Sequence, residues 1–385
     1  MTGWFRRVSA MIASVVVSSP GLARAADPAP VLQAEQSDVA QLPAMGAHWV
    51  LPYTKTTAIT LYDGDNGHVL GTLPATPLAN TVITPDRRSI YITETSWSLV
   101  DHGDRHDMLQ QFDARTLERV RELALPPRAL VGRKQQNFDV DANGKFGFIF
   151  DLSPASAVTV VDLSAFRVVR TVDIPGCALV FPWQGGGFSS LCGDGSLTNV
   201  AVGSDGKATV THSKPFFSAD GDPVYEQSLA ERAKGDAYFI TYSGKVMKAH
   251  LGPQPVIETA WSIQQAAGQP VAGTGVQELA WRPGGTQPFA MSYYNHHLFA
   301  LMHMGTYWTH KTAGTEVWEL DTQAHRLVRR IDLPAPAKAV AVSQDQKPLL
   351  YANGENGNLM VIDLQNGKTL RNTHIDAGAM TLTPP

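Results

Sequence analysis

The chain has 385 residues, enough for one large core or two ordinary domains. Its 31 lysines and arginines nearly balance 35 aspartates and glutamates, giving a formal charge of −4. That balance leaves no basic footprint for nucleic acid or anionic lipid, so neither is expected as a partner.

The first 25 residues, MTGWFRRVSAMIASVVVSSPGLARA, place Arg6 and Arg7 before an apolar run and end it on small residues. This three-part layout predicts a cleaved secretory signal, with cleavage after Ala25 and a periplasmic destination. The arginine pair also hints at twin-arginine export, although Val8 and Ser9 fit that pattern poorly. The apolar run is too short for a membrane anchor, and no later segment approaches a span. Residues 26–45 are rich in Ala, Pro and Gln and read as a flexible arm. Residues 46–385 read as a single domain.

From residue 59 onward one pattern recurs: a β-branched run, an acidic residue, a turn, and a second run ending near proline. VTVVDLSAFRVVRTVDIP (158–175) is the clearest copy, and related strings begin at 59, 110, 317 and 359. Their shared aspartates are Asp63, Asp113, Asp162, Asp321 and Asp363. Two degenerate copies put Ala201 and His250 in the acidic slot. Each copy predicts a β-hairpin, with the aspartate opening the turn. A further turn-and-strand signature, as in TPDRRSIYIT (84–93), precedes several of them. Four strands in about 40–50 residues is the period of a propeller blade. The expected fold is therefore all-β, a seven-bladed β-propeller with an extended N-terminal arm. The wide gap between the fifth and sixth slots predicts an insertion of about 20 residues within 262–315. Residues 223–236 (PVYEQSLAERAKGD) carry the clearest helical character, for a turn or two.

Catalytic groupings are sparse. G-x-S-x-G is absent, and Gly185-Gly186-Gly187 lacks a following Lys-Ser/Thr, so the glycines read as a loop tip needing positive φ. His296, His297, His303 and His310 lie among tyrosines and methionines, a mixture that suits copper. The stretch also alternates like a buried strand, which sends adjacent histidines to opposite faces. His102 and His106, among Asp101, Asp104 and Asp107, read as a polar hairpin tip before a metal site. Most of the eight tryptophans are expected to pack between blades. No catalytic residue and no metal ligand is assigned in this chain.

Cys177 and Cys192 are its only cysteines. In an oxidising compartment a lone pair predicts a structural disulfide, since a redox couple favours Cys-x-x-Cys and two thiols make a poor zinc site. Closing a loop of about 16 residues stabilises by roughly 3 kcal/mol on the chain-entropy account.

Several strings together, SPASAVTVVDLSAFRVVRTVDIPGC (153–177), CGDGSLTNVAVGSDGK (192–207), THKTAGTEVWELDT (309–322) and VSQDQKPLLYA (342–352), resemble the heavy subunit of periplasmic quinoprotein amine dehydrogenases, a family that includes the methylamine and aromatic-amine enzymes. The resemblance spans roughly 50–375. It implies two heavy and two light subunits, with tryptophan tryptophylquinone and the catalytic aspartate in the light subunit and no cofactor bound by this chain. It further implies oxidation of a primary amine to aldehyde and ammonia, with electrons passed to a small blue-copper protein. This chain then scaffolds the light subunit and shapes the substrate channel. Pro77, Leu78, Asn80, His310 and Lys311 are the candidate channel or light-subunit contacts. One departure stands out: the methylamine-type subunits carry a phenylalanine in a Gly-Phe-Leu-Pro-Asn string, where this chain reads ATPLAN (75–80). The alternative readings are a stand-alone periplasmic binding propeller and a propeller hydrolase with a metal in its channel.

Overall fold

The computed structural model describes residues 41–385 except 55–57, 100–101, 128–132, 153 and 204–206. The expected signal peptide, and the arm as far as residue 40, lie outside the described residues. The end of that arm is packed: Met45 is buried and Leu42 covers the same cluster, exchanging hydrogen bonds with Arg115.

The named strands pair antiparallel throughout and form six sheets arranged as an all-β propeller. One sheet runs Asn80–Ile83, Ser89–Leu99, His102–Asp113, Arg119–Ala124 from inside outward. The next two follow as Phe138–Val140 to Arg167–Asp173 and Cys177–Trp183 to Ala208–His212. A fourth begins at Leu229–Glu231. Burial follows position: Asn80–Ile83 is buried at every residue, whereas Lys368–His374 is almost wholly exposed. This is why the first run of each sequence copy is apolar and the second is studded with Arg and Lys.

The ring closes on strands from both ends of the domain. Ala377–Leu382 is the inner strand of a sheet whose other three members are Trp49–Thr54, Ala58–Asp63 and Val69–Pro74.

The hairpin turns are built as expected. Asp113 Oδ1 accepts from the backbone N–H groups of Arg115 (2.8 Å) and Thr116 (3.0 Å), and Asp162 and Asp321 repeat the arrangement. Four residues after each shared aspartate the backbone turns left-handed, at Gly67, Leu117, Phe166, His325 and Gly367.

Two expectations need correction. The structure has five separate blades, not seven. The hairpins of the last two sequence units belong to one eight-stranded sheet, because Arg326–Val342 continues unbroken and pairs with Gly314–Asp321 at one end and Leu349–Gly354 at the other. Pro334 and Pro336 suit an extended backbone and do not interrupt the strand. Residues 223–236 are not helical: they contain Leu229–Glu231, an inner strand buried on its alternate residues. Tertiary packing overrides the local propensity there. The only α-helix among the described residues, Ile263–Ala266, is capped by Ser262, whose Oγ accepts from Gln265 N–H (3.2 Å).

Candidate functional site

The strand registers place two sets of loops on one face of the propeller. Inner strands such as Asn80–Ile83 start at this face, and loops such as 241–244 and 306–313 join middle strands across it. Both segments that carry the sequence candidates lie here.

Pro77 is exposed, Leu78 is half-buried and Asn80 is buried. The loop is held through its backbone: Arg133 Nε donates to Pro77 O (3.0 Å), and its terminal nitrogens donate to Thr76 O (3.3 Å) and Thr54 O (3.4 Å). The guanidinium lies 4.6 Å from the Tyr53 ring centroid, and burial depresses its pKa. Asn80 Nδ2 donates to Leu78 O (3.0 Å), while its Oδ1 accepts from Lys134 N–H (3.2 Å). Asn80 is thus a strut of the loop, not a free polar group.

Lys134 continues the path. Its Nζ is paired with Glu226, and the next N–H, of Gln135, donates to Gln227 Oε1 (3.2 Å). Beside Glu226, the buried Tyr225 donates to Pro283 O (2.7 Å) and meets Tyr242 at 4.8 Å between ring centroids. Tyr242 stacks on His310 at 4.0 Å and 15°. The two candidate loops are therefore joined by the sequence Asn80, Lys134, Glu226, Tyr225, Tyr242, His310. Burial lowers the His310 pKa, with Lys311 acting in the same direction and Glu226 against it. Stacked on Tyr242, the ring has its Nδ1 buried without a hydrogen-bond partner. Lys311 is exposed.

The other clustered histidines do not converge. His297 is paired with Glu319 (2.7 Å), and His303 Nε2 meets Thr309 Oγ1 (2.7 Å). Among the described residues no group of three or more His, Cys, Asp or Glu side chains is placed to hold a metal ion. The cysteines are bonded, joining directly opposed residues of neighbouring strands.

Sequence reasoning missed Arg133, Lys134, Glu226 and Tyr242, which only the fold brings together. It also missed what the insertion carries. Val271, Val276 and Leu279 are exposed on the 267–279 segment, and Met304 and Trp308 are exposed beside it. Ala280 pairs with Gly305, which brings the segment alongside the 305–312 loop. Arg282, buried to 1 % exposure, locks the two together by donating to Glu278 O (3.2 Å) and Gly305 O (3.2 Å). Other exposed apolar residues, such as Val120, Val210 and Leu370, sit singly on outermost strands. Five large apolar side chains are thus exposed on two clamped loops, the kind of grouping that marks interaction sites when it is contiguous. The widened repeat spacing was its one signal in the sequence.

A profile of the methylamine dehydrogenase heavy chain family matches residues 47–382. The methylamine dehydrogenase heavy chain of Methylophilus methylotrophus is 29% identical over 82% of this chain and 76% of its own length. That of Paracoccus versutus is 30% identical over 80% and 71% respectively. Among solved structures, a putative 6-phosphogluconolactonase from Bacteroides fragilis superimposes with a TM-score of 0.53 over 89% of this chain and 98% of its own, at 11% identity. That likeness concerns the fold alone.

Proposed function

Because the chain belongs to the methylamine dehydrogenase heavy chain family, we propose that it is the large, cofactor-free subunit of a periplasmic amine dehydrogenase and docks a light subunit on the face that carries the 75–80 and 305–312 loops. The observation that carries this reading is the clamped apolar surface of Val271, Val276, Leu279, Met304 and Trp308, contiguous with the Tyr242–His310 stack. Such a surface needs a protein partner to cover it, and the family name, heavy chain, supplies the kind.

In this reading the light subunit brings tryptophan tryptophylquinone and the catalytic aspartate, and the bound quinone supplies the two-electron oxidation of a primary amine to aldehyde and ammonia. This chain's own tryptophans do not fit that group. Its close pair, Trp281 and Trp318, stands 5.4 Å apart between centroids, with the Arg330 guanidinium 4.6 Å and 4.8 Å from the two rings, and Trp318 Nε1 donates to Glu316 (2.9 Å). They are packing residues. What the chain contributes is position and exclusion: Arg133 and Asn80 fix the 75–80 loop, and Pro77 or Leu78 stands where methylamine-type subunits carry a phenylalanine. The smaller side chain opens a channel with a different size preference from the methylamine type. Electrons leave the assembly to a blue-copper protein, two heavy chains join two light ones, and the N-terminal signal directs export.

The test is recovery of the tagged chain from its own cells. A small, disulfide-rich partner with quinone absorbance is expected to co-purify, and a Leu279→Asp, Trp308→Ala variant is expected to lose it while keeping its melting temperature. Recovery of the chain alone, or a partner that the double variant retains, contradicts the proposed docking face.

A further inference from the structure

The 75–80 loop is aimed by two opposite charges. Thr76, Pro77, Leu78 and Ala79 form a turn closed by Ala79 N–H on Thr76 O (3.0 Å), with the proline at the second position, where its fixed φ suits it. Pro77 and Leu78 are therefore the tip, and the direction of the tip is set at Thr76. Both backbone groups of Thr76 face an ion. Its N–H donates to Glu94 Oε2 (3.1 Å), and its carbonyl accepts from the Arg133 guanidinium (3.3 Å), which also holds Pro77 O (3.0 Å). The peptide dipoles on either side of Thr76 each turn their matching end to a charge.

Glu94 lies on Ser89–Leu99, the second strand of the blade that follows the loop, at 9 % exposure, and its other oxygen accepts from Gln110 Nε2 (2.9 Å). Burial pushes its pKa above the ordinary carboxylate value. The charged groups that act on it, Glu122 and Arg119, are paired with each other at 2.6 Å. Arg133 likewise meets carbonyls and the Tyr53 ring rather than a carboxylate. A charge taken out of water is ordinarily paired with an opposite one. Here a carboxylate and a guanidinium instead bracket a stretch of neutral backbone. Hydrogen bonds to ions are about twice as strong as neutral ones, a restraint that a proline turn does not need in order to form.

We propose that Glu94 is a positioning residue: with Arg133 it fixes where Pro77 and Leu78 stand, and thereby the range of amines that the substrate channel admits. This rests on the reading of the 75–80 loop as a channel wall, with one of its two tip residues in the place of the methylamine-type phenylalanine. Glu94 acts through Thr76 N–H rather than on the substrate. A fixed tip discriminates among amines by size, and a loosened tip admits them more evenly.

Glu94→Gln removes the charge and keeps the length of the side chain. In the complete protein, with any co-purifying partner, the spread of KM values from methylamine to phenethylamine is expected to narrow at least threefold, the change falling on KM rather than kcat. Arg133→Lys, which keeps the charge and loses the fork, is expected to narrow it in the same direction. Glu122→Gln removes a carboxylate paired with Arg119 instead of the loop, and is expected to alter neither this spread nor the backbone. Hydrogen exchange gives a readout independent of turnover: the Thr76 amide is expected to exchange at least tenfold faster in Glu94→Gln. Unaltered exchange at Thr76, or faster exchange with an unaltered spread of KM, overturns the proposal. Faster exchange in an assembly inert toward every amine overturns the proposed function instead, taking the selectivity role with it while the clamp on Thr76 stands.

Discussion

The left-handed residues of the hairpin turns show how single side chains are tuned to this fold. Gly67 and Gly367 take the conformation without strain, but Leu117, Phe166 and His325 adopt it at roughly 1 kcal/mol each. Each is compensated by packing. Leu117 covers the gap at Gly71, His325 stacks on Trp261 at 5.0 Å, and Phe166 lies under the Arg121 guanidinium at 4.3 Å and against Tyr91. Phe166→Gly relieves the strain yet loses the ring, so a net destabilisation of about 1–2 kcal/mol is expected in chemical denaturation. Histidine 48 adds a pH-dependent contact: its ring nitrogens meet Asp65 (2.6 Å) and Asp345 (3.0 Å). Burial pulls its pKa down, but the hydrogen bonds and charges of the two carboxylates prevail and hold it above 6.5. A folded pKa above the unfolded one means stability that is full below 6.5 and is lost as pH rises through the folded value. The melting temperature of the native chain should exceed that of His48→Gln most at acidic pH, with the gap closing toward alkaline pH. If the phenylalanine is replaced by Pro77 or Leu78 as proposed, the relative turnover of methylamine against longer and aromatic amines is expected to differ from that of the methylamine type. A strict methylamine preference in steady-state turnover rules that out.

Among elements, the disulfide shows how local a staple can be. Cys177 and Cys192 face each other in register on adjacent strands, and Thr198 Oγ1 stands 3.2 Å from both sulfurs. The bond closes a separation of 15 residues, so replacing both cysteines by alanine should destabilise by about 3 kcal/mol. Amine turnover at a temperature where the variant remains folded should be unchanged; its abolition would assign the cysteines a role beyond structure. Hairpins and their aspartates were legible in the sequence because an Asx turn is settled within four residues. Where one unit ends was not, since whether Arg326–Val342 breaks or continues depends on partners on both sides. The strand at Leu229–Glu231 was hidden for the same reason: its short apolar run gains its meaning from the walls of the axial cavity that the inner strands enclose. The candidate loops were found by motif, but their connection rests on Lys134 and Glu226, 92 residues apart, which no spacing rule pairs.

For the whole molecule, the consequence of ring closure is that stability is shared between its ends. Ala377–Leu382 completes a sheet begun by Trp49–Thr54, and Gln287 ties it inward by donating to Thr381 O (2.9 Å) and accepting from Thr381 N–H (3.1 Å). Removing residues 377–385 exposes both the inner face of that sheet and the axial cavity, so a loss of cooperative thermal unfolding is expected, rather than a modest shift of its midpoint. The same geometry fits the proposed scaffolding role. Rigid antiparallel sheets hold the loops of one face in register, and the insertion clamped by Arg282 adds an apolar surface to that face alone. This surface is proposed to serve an amine-oxidising assembly whose chemistry lies in a second subunit. The direct measurement is ammonia release and dye reduction with primary amines, by the purified assembly and by this chain after separation from its partner. The expected result is turnover by the assembly and none by the chain alone. Turnover by the isolated chain, or an intact assembly inert toward every primary amine tried, contradicts it.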